Sequence, residues 1–415
     1  METIYARVAG LDIHKTNVVA CLRITGGDGK VQETLRTFGT MTEDLLQLGD
    51  WLAQANVSHV AMESTGVLWK PIWNILEGYA LTLLLVNARE LKQVPGRKSD
   101  VKDSQWIAHL LSCGLLKSSY VPCTEQRHLR DLTRHRAQLC SEHTRCVNRL
   151  HKVLQDANIK LSSVASDVLG VSGRKMLAAL VAGQEDPEAL AELALGRLRK
   201  KIPELKRALQ GHVQGHHQFM LEQLLDHLAF LEEQLSIFNA KIAEELIPFV
   251  DEQTQKRLDA IPGVNRKTIE NVIAEIGVDM EQFPTAGHLA SWAGMCPGNE
   301  ESAGKRKRRR TTKGNVWLRR SLCEAAWAAS RKKGSYFQAQ YRRLAGRRGK
   351  KRALMAVAHT LLEVIYHLLE DKTAEYHELG GDYFDTLDPS RLRRHLVKRL
   401  ESLGYDVSLS ERKAG

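Results

Sequence analysis

An α/β domain followed by a long and almost entirely helical region is the fold class that the sequence predicts. Up to about Leu116, short apolar runs at strand period alternate with helical patterns. From about Glu125 onward the residues are nearly all helix formers, with apolar positions three and four apart. The chain of 415 residues is also longer than one hydrophobic core usually serves, so we expect two or three domains.

Five strands and three helices are predicted in the N-terminal part, in the order β-β-β-α-β-α-β-α. The strands cover residues 5–13, 17–24, 30–38, 57–64 and 81–87. The helices cover residues 41–55, with Thr42 as the N-cap, 70–80 and about 99–116. This order is expected of a mixed sheet of the RNase H-like, or RuvC-like, kind.

Two long helices are predicted in the middle of the chain, over residues 127–157 and 215–245, where dense charge separates the apolar positions. They would project from the core or pair as an antiparallel coiled coil. Such a lobe suits either oligomer contacts or nucleic-acid binding through its arginines, and the sequence does not separate the two. The arginines concerned are Arg130, Arg134, Arg136, Arg145 and Arg149.

A helix-hairpin-helix is predicted at residues 258–277, LDAIPGVNRKTIENVIAEIG, where two short helices flank a Pro-Gly-Val turn. In that motif the backbone N–H groups of the hairpin hold a DNA phosphate without reading bases. An ordinary helical hairpin is the alternative.

The predicted organisation is an RuvC-like domain at 1–124, a helical or coiled-coil domain at 125–250, a C-terminal domain at 251–371 and a tail at 372–415.

The positive charge of the chain is concentrated in one segment. The net charge is +11, and between Ala303 and Ala353 there are nineteen Lys and Arg residues against the single acid Glu324. A concentrated positive field suits a polyphosphate partner, because each phosphate contact releases counterions. A solvated helix face or a disordered tail is the alternative, which the interleaved tryptophans and tyrosines disfavour.

Cysteine usage and hydropathy indicate a cytoplasmic protein. The seven cysteines are scattered and form no CxxC pair, which favours free thiols in a reducing compartment over a zinc site. No apolar run reaches the length of a membrane span. The first residues, METIYARVAG, lack the pattern of a secretory signal. We therefore expect no membrane partner.

Four acids stand where the predicted elements would gather them. Asp12 ends the first strand, Glu63 ends the fourth, and Asp100 and Asp103 share one face at the start of the last helix. Four carboxylates repel one another unless a dication neutralises them, and oxygen ligands favour Mg²⁺ or Mn²⁺. Taken singly, each acid has an equally good structural explanation. Asp12 could be a strand-end cap, Glu63 an exposed loop residue, and Asp100 and Asp103 acids at a helix N-terminus.

Ser302 precedes six consecutive basic residues in the stretch PGNEESAGKRKRRRTTKGN, residues 297–315. A serine hydroxyl is a poor nucleophile unless a base or a metal assists it. The acid cluster could supply the metal, the basic run could hold a phosphate against it, and Gly304 lets the backbone approach DNA closely. Considered alone, Ser302 is an ordinary loop serine.

Basic residues near both the acids and the serine are candidates for phosphate contacts. Lys98 and Lys102 flank the pair of acids at the last helix and could contact the strand to be cut. Those around the serine are Lys305, Arg306, Lys307, Arg308, Arg309, Arg310, Lys313, Arg319 and Arg320.

The sequence resembles the DEDD transposases of the IS110 insertion-sequence family along nearly its whole length. GLDIHK, AMESTG and KSDVKD match the family's RuvC-like acidic motifs. IPGVNRKTIENVIAEIG, LASWAGMCPGNEESAGKRK and KGNVWLRRSLCEAAW match its C-terminal transposase domain. The resemblance implies a site-specific DNA recombinase that excises and inserts its own element, with a metal on the acids and Ser302 as the nucleophile that links to DNA.

The same resemblance implies a place at the nucleoid of a prokaryotic cell, and it implies partners. They are donor and target DNA, an RNA encoded by the element that bridges the two, and further copies of the chain in a dimer or tetramer. In such an assembly the acids of one protomer and the serine of another form a composite site.

Three other interpretations stay open at this point. A metal-dependent nuclease such as a Holliday-junction resolvase would use activated water and leave Ser302 idle. A non-catalytic DNA binder would use the helix-hairpin-helix and the basic segment alone. A sugar-kinase-like ATPase shares the early strand order, but GLDIHKTN lacks the Gly-Thr pair expected near nucleotide phosphates.

Overall fold

The computed structural model describes residues 3–64, 66–87, 91, 103–297, 301–302, 305–306 and 311–410. The chain divides into two compact units, Met1–Val121 and Pro122–Gly415. The division falls close to the first predicted domain boundary, and the predicted subdivision of the second unit stays a prediction.

A five-stranded mixed sheet forms the centre of the first unit. Its strands are β1 Arg7–Ile13, β2 Asn17–Thr25, β3 Val31–Gly39, β4 His59–Glu63 and β5 Thr82–Val86. They lie in the order β3-β2-β1-β4-β5, with β1–β2 and β2–β3 antiparallel and β1–β4 and β4–β5 parallel. The predicted mixed sheet and its order of elements are confirmed, and both are consistent with an RNase H-like domain.

Helices cover both faces of this sheet. The helices α1, Thr42–Gln54, and α2, Trp69–Leu76, pack their apolar faces on one side, and α3, Asp103–Ser112, packs on the other. The predicted N-cap at Thr42 is wrong by one residue. Met41 is the cap, because its backbone is extended and its carbonyl accepts the Leu45 N–H, which leaves Thr42 inside the first turn.

The backbone of α3 lies directly against β1 at Gly10. A Cβ at Gly10 would overlap the carbonyl oxygen of Ser104 and lie 2.5 Å from the backbone nitrogen of Ala108, so only glycine permits this approach. The other end of α3 meets the residues before β1, since the Ser112 carbonyl accepts the N–H groups of Ile4 and Tyr5. The helix therefore runs antiparallel to β1, and its N-terminus points toward the end of that strand.

An antiparallel pair of long helices dominates the first half of the second unit. These are α4, Thr124–Asp156, and α9, Gly215–Leu246. Arg136 bonds to Asn239 near one end of the pair, and Asp156 bonds to His217 at the other, so the two chains run in opposite directions. The predicted long helices are present, and they pair. Short helices complete their core: α5 Leu161–Val164, α6 Val171–Val181, α7 Pro187–Glu192, a 3-10 turn Gly196–Lys201 and α8 Ile202–Leu209.

Among the residues that the structure describes, the regular elements in the rest of the second unit are helices and one short two-stranded pairing. Its helices are α10 Glu252–Asp259, α11 Arg266–Ile276, α12 Ala286–Trp292, α13 Val316–Ala329, α14 Tyr336–Arg348, α15 Lys350–Glu370, α16 Tyr383–Thr386 and α17 Pro389–Glu401. Strands β6, Glu301–Ser302, and β7, Lys305–Arg306, pair antiparallel. The buried Arg257 of α10 donates to the carbonyls of Leu368, Asp371 and Ala374, and so satisfies acceptors at the C-terminal end of α15.

One described helix, α15, is long and apolar enough to cross a membrane by length and composition, which the sequence reading did not anticipate. Half of its apolar window is buried inside the unit, against α13 and α14 among others. A core helix of a globular protein has the same length and composition, so α15 does not indicate a membrane protein.

Replacing Gly10 by alanine tests the packing of α3 on β1. We expect Gly10→Ala to destabilise the first unit by about 1–3 kcal/mol, because the added methyl group forces the helix backbone away from the strand. Hydrogen exchange of the β1 and α3 amides measures the loss. Gly27→Ala is the matched control, because a Cβ there meets nothing within 4 Å. Equal protection in the two variants would contradict the close approach.

Candidate active site

Asp12 and Glu63 occupy neighbouring positions on adjacent parallel strands. The register of β1 and β4 pairs Leu11 with Met62, and the next residue on each strand is the acid. Leu11 and Met62 point into the core beneath α1 and α2, so the alternation of side chains sends both acids to the face that α3 covers. Both acids are half-buried at the same end of the sheet.

Asp103 lies at the N-terminal end of α3 and is exposed. Because α3 runs antiparallel to β1 and crosses it at Gly10, this end of the helix lies at the end of the sheet that carries Asp12 and Glu63. The structure therefore brings three of the four predicted acids to one edge of the first unit. Asp100 lies outside the described residues, as do Lys98 and Lys102.

His14 is a further member of this edge that the sequence reading missed. Its Nε2 lies 3.3 Å from Oδ2 of Asp12, whose side chain is 24% exposed. The only signal was its position in GLDIHK, two residues after Asp12 and just beyond the end of the predicted strand. A protonated imidazole at this place would offset part of the Asp12 charge.

The donor set of this edge fits a hard divalent cation. The acids brought together are carboxylates, and carboxylate oxygens are the ligands that Mg²⁺ and Mn²⁺ prefer. In a DEDD-type site the ion would be held by Asp12, Glu63 and Asp103, with Asp100 as the fourth predicted ligand.

A second group with metal-ligating side chains has a structural explanation. Ligand atoms of Asp156, His216 and His217 lie within 4.8 Å of one another, the one such group found among the described residues. The Nδ1 of His217 accepts the backbone N–H of Gln214, so its Nε2 carries the proton and donates to Asp156 at 3.0 Å. The pair caps α9 and ties its start to the end of α4, and Nε2 of His217 has no lone pair for a metal.

Ser302 lies in the short antiparallel pairing of β6 and β7, where it stands opposite Lys305, and Glu301 stands opposite Arg306. An isolated bridge between Pro297 and Thr311 closes the base of this hairpin. The structure describes the backbone of Ser302 and not its side chain. Residues 303–304 and 307–310 lie outside the described residues, and with them most of the basic run.

Two family models match the chain. One, described as a transposase of the DEDD IS110 type, matches residues 9–159, and the other, described as transposase IS116/IS110/IS902 family, matches residues 255–342. The chain belongs to the IS110 family of transposases. The first match contains Asp12, Glu63 and Asp103, which together are called the acidic edge. The second contains Ser302 and the basic run.

Two curated relatives agree with this assignment. A probable family 20 transposase of Pseudomonas aeruginosa is 25% identical over 334 residues, which cover 79% of this transposase and 88% of the relative. An uncharacterised 44.8 kDa protein of insertion element IS116 from Streptomyces clavuligerus is 24% identical over 328 residues, which cover 70% of this chain and 79% of the relative.

A hydrogen-bonded chain of three side chains lies at the start of the hairpin that β6 and β7 form in the transposase. The Sγ of Cys296 lies 3.6 Å from Nε2 of His359, and Nδ1 of that histidine lies 3.3 Å from Oε2 of Glu363. Burial, and after it the Glu363 charge, raises the pKa of the Cys296 thiol above its ordinary value. The thiol is therefore a donor to His359 and not an activated nucleophile. The sequence carried no signal for this contact.

Two of the described basic side chains after the hairpin have partners of their own. Arg319 donates to the carbonyl of Thr312 at 3.4 Å. Arg320 pairs with Glu324 at 3.1 Å and donates to the hydroxyl of Ser141. Lys313 is exposed, and for Lys305 and Arg306 only the backbone is described. Their role in nucleic-acid binding stays a prediction.

Three arginines of α4 that were candidates for nucleic-acid binding make ion pairs within the transposase. Arg130 and Arg134 pair with the buried Glu275 at 3.2 and 2.7 Å. Arg136 is 2% exposed and pairs with the equally buried Glu270. These ion pairs hold α4 against α11. They leave the buried Arg136 no exposed surface for a nucleic acid, whereas nucleic-acid binding by Arg130 and Arg134 stays a prediction. Of the remaining two, Arg145 pairs with Glu142 on the surface, and Arg149 is exposed.

Two helices, α10 and α11, flank a buried turn where the helix-hairpin-helix is predicted, an arrangement that an ordinary helical hairpin shares. Gly263 has φ +84°, and a Cβ there would lie 2.6 Å from the backbone nitrogen of Ala329. The turn therefore packs on the backbone of α13, which accounts for the glycine by helix packing. Phosphate binding by this turn stays a prediction.

Removing Arg136 tests its structural role. We expect Arg136→Leu to lower the free energy of unfolding of the second unit by about 3–5 kcal/mol, because Glu270 then stays buried with a poorer set of partners. Chemical denaturation measures the change. Arg145→Leu on the same helix is the control, with 61% of its side chain exposed and an expected loss under about 1 kcal/mol. A loss of DNA affinity in Arg136→Leu without loss of stability would restore the nucleic-acid interpretation.

Proposed function

We propose that the chain is a site-specific DNA recombinase of an insertion sequence, which cuts and rejoins strands with metal-binding acids and a serine nucleophile. Membership of the transposase family implies an enzyme that acts on DNA by transesterification. The observation that carries the finer proposal is the position of Asp12 and Glu63, side by side on β1 and β4, with the N-terminus of α3 at the same end of the sheet.

The proposed role of the acids is to hold Mg²⁺, with Mn²⁺ as a substitute. Bound there, the ion would offset the negative charge that develops on the phosphate oxygens and on the attacking and leaving oxygens. Asp12, Glu63, Asp100 and Asp103 are the proposed ligands. Fixed on two strands and one helix of a packed unit, the described acids would keep their spacing when DNA arrives.

Ser302 is the proposed nucleophile. Its Oγ would bond to the phosphorus while the bond from phosphorus to the neighbouring deoxyribose oxygen breaks. The serine loses its hydroxyl proton, and the leaving oxygen gains one. The phosphoserine ester conserves the bond, so a hydroxyl of another strand can attack it and rejoin the DNA. Lys305–Arg310, Lys313, Arg319 and Arg320 are proposed to hold the phosphates around it.

The proposed active site draws on both units, because the acids belong to Met1–Val121 and Ser302 belongs to Pro122–Gly415. We propose that a homo-oligomer, a dimer or tetramer, joins the acids of one protomer to the serine of another. The turn between α10 and α11 is proposed to hold a further DNA phosphate through its backbone N–H groups. An RNA from the element is proposed to pair with donor and target DNA.

Two single substitutions test the chemistry. We expect the parent protein with Mg²⁺ and its element ends to form a protein–DNA adduct that survives denaturing electrophoresis. Ser302→Ala should abolish the adduct and lower cleavage by at least about a thousandfold. Asp12→Asn should do the same by removing a metal ligand. Ser291→Ala and Asp28→Asn, both at exposed positions, are the matched controls and should retain activity.

The alternative, a metal-dependent nuclease that uses water, gives a different result in the same experiment. Cleavage that persists in Ser302→Ala without an adduct, and is lost in Asp12→Asn, would replace the recombinase by a nuclease. Cleavage that persists in both variants would remove the acidic edge from the mechanism as well.

Sequencing of the RNA that copurifies with the expressed protein tests the guide. With the element's flanking DNA present in the host, we expect enrichment of one RNA transcribed from those flanks. The control is the same expression without the flanking DNA. A random sample of host RNA in both preparations would argue against RNA guidance and would leave the serine chemistry untouched.

A further inference from the structure

We infer that the exposed indole of Trp327, together with the basic surface beside it, binds a single strand of nucleic acid by stacking on an unpaired base. The basic surface is defined as the ten Lys and Arg residues from Arg331 to Arg352, on α14 and the segments that flank it. The inference rests on the proposed function, to which it adds a strand type and a contact residue that is not among the residues predicted to contact phosphate.

The basic surface has an unbalanced charge. No acid occurs between Ala325 and Leu362, and all ten cations are exposed. In the part of the chain that the structure describes, none of the ten makes an ion pair, although Arg343 lies over the Phe384 ring. Other exposed lysines of the same unit do pair, such as Lys241 with Glu244 and Lys256 with Glu252. A polyanion is the partner that offsets such a field.

Trp327 is 41% exposed on α13 and borders this surface. The guanidinium carbon of Arg331 lies 4.6 Å from the centre of the indole, and the Tyr341 ring meets the indole edge-on at 6.1 Å between centroids. The indole is thus held in place by a cation and a second ring, and part of it faces solvent. An ordered, exposed aromatic ring among unpaired cations is the arrangement that stacks nucleic-acid bases.

The strand type follows from the geometry of bases. In a duplex both faces of each base are covered by the neighbouring base pairs, so an exposed indole finds no face to stack on. An unpaired base offers its whole face, and the phosphates on either side of it can reach the surrounding cations. The exposed indole therefore favours a single strand, whether RNA or DNA, over duplex DNA.

Binding of labelled oligonucleotides by the full-length protein tests the inference. The probes are a single-stranded RNA, the DNA of the same sequence and the matching DNA duplex, measured by fluorescence anisotropy without Mg²⁺. We expect Trp327→Ala to weaken binding of single strands about tenfold and binding of the duplex less than twofold. Trp327→Phe should retain most of the affinity, since a ring remains.

Two controls separate stacking from charge and from folding. Phe230→Ala removes another exposed ring, 54% exposed on α9, a helix that carries none of the ten cations, and should leave all affinities unchanged. Replacing Lys350 and Lys351 by glutamine should weaken the binding of single strands and duplex alike. It should also make both affinities less dependent on salt concentration. A photo-reactive 5-iodouracil in the single strand should cross-link to the peptide that contains Trp327.

The outcomes are distinct from those of the serine chemistry, because Ser302→Ala should bind every probe like the parent. Unchanged single-strand affinity in Trp327→Ala, an equal loss on the duplex, or a cross-link confined to another peptide would overturn the inference. Tighter binding of RNA than of DNA would identify the strand as RNA, and the reverse order would identify it as displaced DNA.

Discussion

The contact between the backbone of α3 and Gly10 of β1 positions the acidic edge. A helix packed on ordinary side chains stands well away from a sheet, but here Ser104 and Ala108 lie against the strand itself. The N-terminus of α3 is thereby lowered onto the face where Asp12 and Glu63 project. Without this contact, the N-terminal end of α3, and Asp103 with it, would be held less closely to the face that carries Asp12 and Glu63.

The second unit depends on a different interaction, the burial of two carboxylates of α11 among cations. Glu275 is satisfied by two arginines of α4 and by Asn315, the N-cap of α13. Glu270 is satisfied by Arg136 and Arg266. A buried charge is costly unless each partner keeps its place, so these pairs fix the register of α4, α11 and the start of α13 more than they add stability. Asn315, which follows the segment that contains Ser302, is therefore part of this network.

Local pattern was sufficient for the sheet and for the acids, and insufficient for the ion pairs. Asp12 and Glu63 could be placed together because parallel strands in a known order bring their ends to one edge. The three arginines of α4 could not be assigned, because helical periodicity gives the face of a residue and not its partner more than a hundred positions away. The contact between Cys296 and His359 could not be predicted for the same reason, because 63 positions separate the two residues. Gly10 looked like any glycine in a strand until the helix above it was present.

The opposite charges of the two halves of the proposed site have a consequence for its assembly. A phosphodiester is repelled by an edge of carboxylates and attracted by the basic residues around Ser302, so DNA would bind first through the second unit. The acids can accept the same phosphate only after a divalent ion has reversed the local charge. On this proposal neither half alone would hold the strand in a reactive position. Cutting would require metal, DNA and both halves together, and strand breakage would then be restricted to the assembled complex.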